Sequence, residues 1–429
     1  MKSILIGFAL LLCSVLALCF FTSRTQFELQ LFFWVLGFVG YLMICLTKTE
    51  PSIVPKLLVL AVLIRILACF SFPVLSDDIY RFIWDGELNL KGVNVYEFKP
   101  TQIQENTFRN QPALFNNLNS KQYFTVYPPI DQMLFTISAY LGKDIYWKSV
   151  ILKAFLLVGE ICLMFLISQI LKFLNRPQQK LFLYVFNPLV IVEICGNAHF
   201  EGLALLALLS TLYLIYRNKT WLSGFTFVSA VLIKLNPLIY LPVLAFQFKN
   251  GVKSLKFLSP TFIIALFFVH NSEALNNIFE SLSFYFIRFE FNAGIYYLLR
   301  YLGYYLYGHN TIAFLGPAFL ILTGLIISYL SLNLYKKKKV FLHEILFYIC
   351  LAYILLSPVL HPWYLIPLIG LSLFTNWRFP LVWSFLIFIS YHVYGQKPYM
   401  ENMFLVYLEY VFLLIYVLIE IAVPKWQKV

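Results

Sequence analysis

Long apolar runs, broken by brief polar punctuation, fill most of this 429-residue chain. The runs are continuous and do not alternate residue by residue, which predicts helices and argues against strands. In lipid every backbone N–H and C=O needs a partner within its own segment, and a helix supplies one. Crossing the hydrocarbon core takes about 20 apolar residues. On that criterion spans are expected near Ser3–Phe21, Glu28–Leu46, Val54–Phe72, Ser149–Leu174, Leu181–Cys195, Phe200–Tyr216 and Trp221–Leu235. Further spans are expected near Pro237–Phe248, Phe257–His270, Ile312–Leu334, Leu342–Ser357, Pro362–Phe374, Pro380–Tyr394 and Phe404–Val423. The fold expected is all-α, a polytopic transmembrane bundle of about 12–14 spans in one domain over residues 1–429. The first apolar run, from Met1-Lys2 to about Phe21, is followed by no small-x-small cleavage signal and reads as a span.

Two segments break the rhythm. They run from about Pro73 to Lys148 and from about Asn271 to Asn310. Both are rich in aromatic residues, which suits helices lying at the headgroup level.

Composition agrees with a lipid-facing surface: 61% of residues are hydrophobic and only 12% charged. The net charge of +12 would suggest nucleic acid in a soluble protein. Here the basic residues fall in alternate short loops, as cytoplasmic loops do. Those loops carry Lys48 and Lys56; Lys172, Arg176 and Lys180; Arg217 and Lys219; Lys249, Lys253 and Lys256; Lys336 to Lys339; Arg378; and Lys425 and Lys428. Both termini are therefore expected in the cytoplasm of a cell membrane protein, with the two long loops outside and no nucleic-acid partner. The other short loops are nearly free of Lys and Arg, Arg24 and Lys397 being the exceptions. The seven cysteines form no CxxC pair and read as small core hydrophobes.

Four polar clusters fall on the outer side. The first is Ser76-Asp77-Asp78-Ile79-Tyr80-Arg81-Phe82-Ile83-Trp84-Asp85-Gly86, where Ser76 can cap a helix and Asp77 and Asp78 suit its first turn. Asp77, Arg81 and Asp85 are spaced to share one helix face, and Arg81 can hold one of the paired carboxylates ionised. A salt-bridged cap at the membrane surface explains these residues equally well. Two adjacent carboxylates at an apolar boundary also make one of them a candidate general base.

The second cluster, Glu193 to Gly202, contains Asn197, His199 and Glu201 in a minimal turn between apolar helices. Polar groups there are costly unless used or paired. His199 and Glu201 alone make a poor metal site, and none is expected. The third is Lys234-Leu235-Asn236-Pro237, where Lys234 either snorkels to headgroups or binds the phosphate of a lipid substrate. The fourth, Ser357 to Tyr364, exposes His361, Trp363 and Tyr364 around two prolines. A Trp-Tyr pair alone would be an interface anchor. The spans carry no convincing file of buried charges, Arg65 and Glu160 being the main candidates with Glu344 and Glu409 near boundaries, which disfavours an ion-coupled transporter.

The segments SDDIYRFIWDG, GVNVYEFKP, YPPIDQ, GNAHFEG, KLNPLIYLP and HPWYLIPL run from Ser76 to Leu368. In these the chain resembles the multi-spanning GT-C glycosyltransferases, and among them the bacterial polyprenol-phosphate-mannose-dependent mannosyltransferases. It departs from many members in having two spans ahead of the helix that leads into the acidic motif. The resemblance implies inverting transfer of a hexose, mannose, from a polyprenyl-phosphate donor to a lipid- or glycan-linked acceptor. It implies no cofactor, with weak divalent-metal dependence left open. Asp77 would be the base, with Asp78 the alternative. Lys234 and His361 would meet the phosphate. Tyr127, Trp363 and Tyr364 would shape the sugar and lipid pocket, and His199 and Glu201 would orient Asp77 or hold the acceptor. Arg81, Asp85 and Asn197 complete the candidate substrate-binding set. A flippase of lipid-linked sugars would use the same cluster for binding without a base. A polysaccharide polymerase or ligase would also face outward, but with an Arg- and His-rich loop.

Overall fold

Among the described residues five helices are long and apolar enough to cross a bilayer: Lys2–Phe21, Phe27–Leu46, Ile145–Phe173, Ile312–Asn333 and Met403–Ala422. They come from a computed structural model that describes residues 2–107, 112–248, 250–264, 266, 272–336, 341–395 and 399–423. Lys249, Lys337 to Lys339, Lys397, Lys425, Lys428 and the last part of the expected Phe257–His270 span lie outside the described residues.

The remaining expected spans are shorter or bent. Leu181–Cys195 is a pair of helical segments, Gln178–Val185 and Pro188–Gly196, meeting at 56°. The break falls at Asn187-Pro188, where proline has no N–H to continue the ladder and the Asn187 side chain accepts from Leu189 N at 3.0 Å. Glu201–Tyr216, Thr220–Ile233, Asn236–Phe246, Leu342–Leu355, Pro362–Ser372 and Phe379–Gly395 are apolar helices of 10–17 residues. Prolines near the starts of several of them set their length.

The first two helices approach closely, since a Cβ on Gly7 would meet the Gly40 carbonyl oxygen at 2.7 Å. Trp34 then reaches across to stack on Phe388 at 4.2 Å and donates to the Phe385 carbonyl. Arg65 and Glu160 pair with each other at 3.1 Å, wholly buried, with Tyr184 donating to Glu160 and the Val185 carbonyl accepting from Arg65. That closed arrangement welds three helical segments, and Lys153, Glu409 and Glu420 are further charged side chains buried within spans. Of the cysteines, Cys13 and Cys162 are exposed, while Cys19, Cys69, Cys195 and Cys350 are buried.

The segment from Pro73 to Lys148 is itself helical. It contains Asp78–Leu90, Pro100–Thr107, Pro112–Asn116 and Pro129–Leu141. Gly86 lets Asp78–Leu90 settle onto Pro129–Leu141, because a Cβ there would strike the Phe135 backbone, its carbonyl carbon 2.6 Å away. Phe82 stacks on Phe135 at 4.6 Å, and Phe200 packs edge-on against both. The second segment holds Ser272–Ile287 and Gly294–Tyr307, the latter exposing Leu298, Tyr301, Leu302 and Tyr305. An isolated parallel bridge joins Phe291 to Val359 and so ties this segment to the turn before His361.

Candidate active site

The acidic motif starts a helix as its residue types require. Ser76 Oγ accepts from Asp78 N at 3.2 Å, Asp77 occupies the cap position, and Asp78 opens the first turn. Arg81 does not hold either of that pair. Its Nε bonds Asp85 at 2.8 Å, and its Nη1 reaches both the Ser120 and Tyr123 carbonyls. Gln132 closes the far side of Asp85 at 3.0 Å. Arg81 and Asp85 are both buried, so they brace the loop and leave no surface for substrate. The cation on Asp77 is Arg24, which lies in the connection between the first two helices and donates to Asp77 Oδ1. Asp78 accepts from Asn119 at 2.9 Å through one oxygen, and its other oxygen lies 3.9 Å from His199 Nε2.

The second ring nitrogen of His199 lies 2.9 Å from Glu193 Oε2. Glu193 also takes the Tyr391 hydroxyl at 2.5 Å and the Asn197 amide at 3.4 Å. Asn197 spends its oxygen on the Val74 and Leu75 backbone N–H groups, locking the GNAHFEG turn to the strip leading into the acidic motif. Asn197 is thus a brace and not a substrate contact. Ala198 stands at φ 65°, a conformation that a non-glycine residue adopts only at a cost of about 1 kcal/mol. The turn is held in that shape by the contacts on either side of it.

Aromatic rings then extend the site. His199 stacks on Trp363 at 3.8 Å, Trp363 on His361 at 4.5 Å, and His361 on Phe291 at 4.7 Å. Burial in this stack, only partly offset by Asp78 and reinforced by His199 and Lys234, pushes His361 down to about 4. With no phosphate beside it, His361 is therefore a neutral imidazole near pH 7.

Lys234 ends the Thr220–Ile233 helix and pairs with Glu201 at 2.9 Å. Burial works against its charge, but Glu201, Asp131 and Asp78 outweigh it and its pKa goes up. Its ammonium also sits 5.9 Å from the centre of the Tyr127 ring. Beside it lies a small groove lined by Glu201, Lys234, Asn236 and Tyr364 together with apolar residues such as Leu205, Leu208 and Ile354. Asp131 stands nearby, wholly buried, and neither of its oxygens has a hydrogen-bond partner among the described residues. Burial pushes its carboxyl well above the usual carboxylate range, against the pull of Lys234.

Asp78, His199, Glu201, Lys234, His361, Trp363, Tyr364 and Tyr127 thus meet at one end of the bundle. The basic residues Arg176 and Lys180 meet Asn376 and Thr375 at the other. Arg24, Glu193, Asp131 and Tyr391 join the site without having been singled out from the sequence as contributors. Arg24 did stand out as a basic residue in a loop that should avoid them, and Asp131 lies within YPPIDQ. Among the described residues no group of three or more His, Cys, Asp or Glu side chains is placed to hold a metal ion.

Residues 55–249, just under half of the chain, match the model of the MptA_B family, described as alpha-(1->6)-mannopyranosyltransferase, N-terminal domain. No curated protein and no solved structure matches the chain. The matched segment contains the acidic motif, the His199 turn and Lys234, and the apolar helices around it are those of a membrane protein. Over residues 55–249 the chain is similar to that mannosyltransferase family, and the match supports a membrane glycosyltransferase, with most of the candidate site residues lying in the matched segment.

Proposed function

We propose that the protein moves a mannosyl unit from a polyprenyl-phosphate donor to a lipid- or glycan-linked acceptor, with inversion, on the extracytoplasmic face. The observation that carries the reading is the small groove beside Lys234, whose mostly apolar lining includes the Lys234–Glu201 pair. A phosphate would take Lys234 in part from Glu201, and an isoprenoid chain would follow Leu205, Leu208 and Ile354 inward. The sidedness rests on the basic loops, which gather at the opposite end of the same helices.

In this reading Asp77 accepts the acceptor hydroxyl proton through the carboxylate oxygen that Arg24 leaves open. The acceptor oxygen bonds to the anomeric carbon as the bond from that carbon to the phosphate oxygen breaks. Polyprenyl phosphate departs with one more negative charge, and Lys234 supplies the counter-charge where it develops. Asp78, linked through His199 to Glu193, is the alternative base. The stack of His199, Trp363 and His361 gives flat faces for a sugar ring. The chemistry described routes no step through a metal.

The test is incubation of the purified protein with radiolabelled polyprenyl-phosphate sugars and extracted lipids, followed by product analysis. A mannosylated lipid or glycan of inverted anomeric configuration is expected. Donor binding or movement across a bilayer without any transfer product would instead mean a carrier of lipid-linked sugars.

A further inference from the structure

The carboxylate assigned as base has its counter-ion from outside the family-matched segment. Arg24 precedes residue 55, in the connection between Lys2–Phe21 and Phe27–Leu46. Its guanidinium donates to Asp77 Oδ1, and its carbon lies 5.3 Å from the centre of the Tyr394 ring. The connection is braced: Ser23 N donates to Gln26 at 2.9 Å, and Gln30 donates to the Ser23 carbonyl at 2.8 Å. Phe27 packs on Phe388 and His392 behind it.

Two observations speak against a role in stability alone. Arg24 and Asp77 keep 22% and 28% of their side chains exposed, so the pair borders an opening. An ion pair that wet contributes about 0–1 kcal/mol. Arg24 also violates the scarcity of basic residues in the outer short loops, a violation that needs a local cause.

We propose that Arg24 is a positioning residue of the active site, holding Asp77 Oδ1 so that Oδ2 faces the acceptor hydroxyl. The N-terminal helical pair, outside the matched segment, thereby completes the site. This rests on the reading of Asp77 as base. A charge-assisted hydrogen bond from Arg24 holds Asp77 Oδ1 and leaves Oδ2 unoccupied by that guanidinium.

The experiment uses the full-length purified protein and four variants: Arg24→Gln, Arg24→Lys, Asp77→Asn and the Arg24→Gln/Asp77→Asn double. Turnover, acceptor KM and donor affinity are measured for each. Misplacing a catalytic group by about 1 Å can cost about 100-fold, so Arg24→Gln should lower kcat by about 10- to 100-fold. Donor affinity should stay unchanged, and Arg24→Lys should recover part of the loss. In the Asp77→Asn background, Arg24→Gln should cost almost nothing further, because the group it positions is gone. If Arg24→Gln does not fold, Arg24→Met, which keeps the stem against Tyr394, takes its place. Full kcat in the neutral Arg24 variant beside a crippled Asp77→Asn would overturn the positioning role and leave the base reading standing. Wild-type turnover in Asp77→Asn would remove both. An equal loss in both backgrounds, or a loss traced to weaker donor binding, would also overturn the inference.

Discussion

Replacing Lys234 with glutamine separates its two partners, Glu201 in the structure and a donor phosphate in the proposed reaction. The lysine is 20% exposed and Glu201 only 2%, with 2.9 Å between the charged atoms. Losing the ammonium strands a buried carboxylate, which costs about 1–3 kcal/mol of stability. The same substitution removes a charge-assisted contact to the phosphate, worth about 1.5–3 kcal/mol, or about 10- to 150-fold in donor affinity. The double variant Lys234→Gln/Glu201→Gln distinguishes the two effects. It should regain most of the thermal stability in detergent, because no charge is left unpaired, yet bind the lipid-phosphate donor as weakly as the single variant. Titration of each purified protein with a polyprenyl-phosphate sugar, beside a thermal melt, reads both quantities. Unchanged donor affinity in Lys234→Gln, or affinity restored in the double variant, would refute the phosphate role and leave Lys234 as a headgroup-seeking cation.

Other consequences are equally open to measurement. Gly86→Ala places a methyl against the Phe135 backbone and Ala139 and should cost about 1–3 kcal/mol of stability, seen as a lowered melting temperature with the site chemistry unaltered. His361 has a folded pKa of about 4 against 6.5 for a free imidazole. The unfolded chain therefore binds the extra proton first as pH falls through that window, so this residue lowers stability from about pH 6.5 down to about pH 4. Melting temperatures of His361→Asn should fall less steeply with acidification than those of the parent, and parallel curves would contradict the assignment. Single cysteines in a background free of the native seven should label from outside at Asn119 and from inside at Asn218, and labelling of both from one side would reverse or break the proposed topology.

Much of the bundle is readable from hydropathy because lipid forces apolar runs into helices. The bend at Asn187-Pro188 is also a local matter of one missing N–H. The site was legible in part: the clusters at Asp77, His199, Lys234 and His361 could be assigned to one side because each sits in a turn. Their partners could not. Arg81 is spaced equally from Asp77 and Asp85, and only burial beside Gln132 and the Ser120 and Tyr123 carbonyls decides for Asp85. The Arg24–Asp77 pair joins residues far apart in the chain, which no periodicity relates. Glu193 finds His199 because Val192–Gly196 is wound as a π-turn, a detail of local winding that composition does not encode.

The most direct measurement of the central claim is turnover of Asp77→Asn beside Asp78→Asn, with donor affinity determined on the same preparations. Asparagine keeps the size and the contact to Arg24 but cannot accept the proton. A positioned base contributes about 10²- to 10⁴-fold, so Asp77→Asn should lose that much kcat while binding the donor as the parent does. Asp78→Asn should lose less. Turnover at the parental rate in folded Asp77→Asn would contradict the account, and a collapse confined to Asp78→Asn would transfer the base to the carboxylate that faces His199.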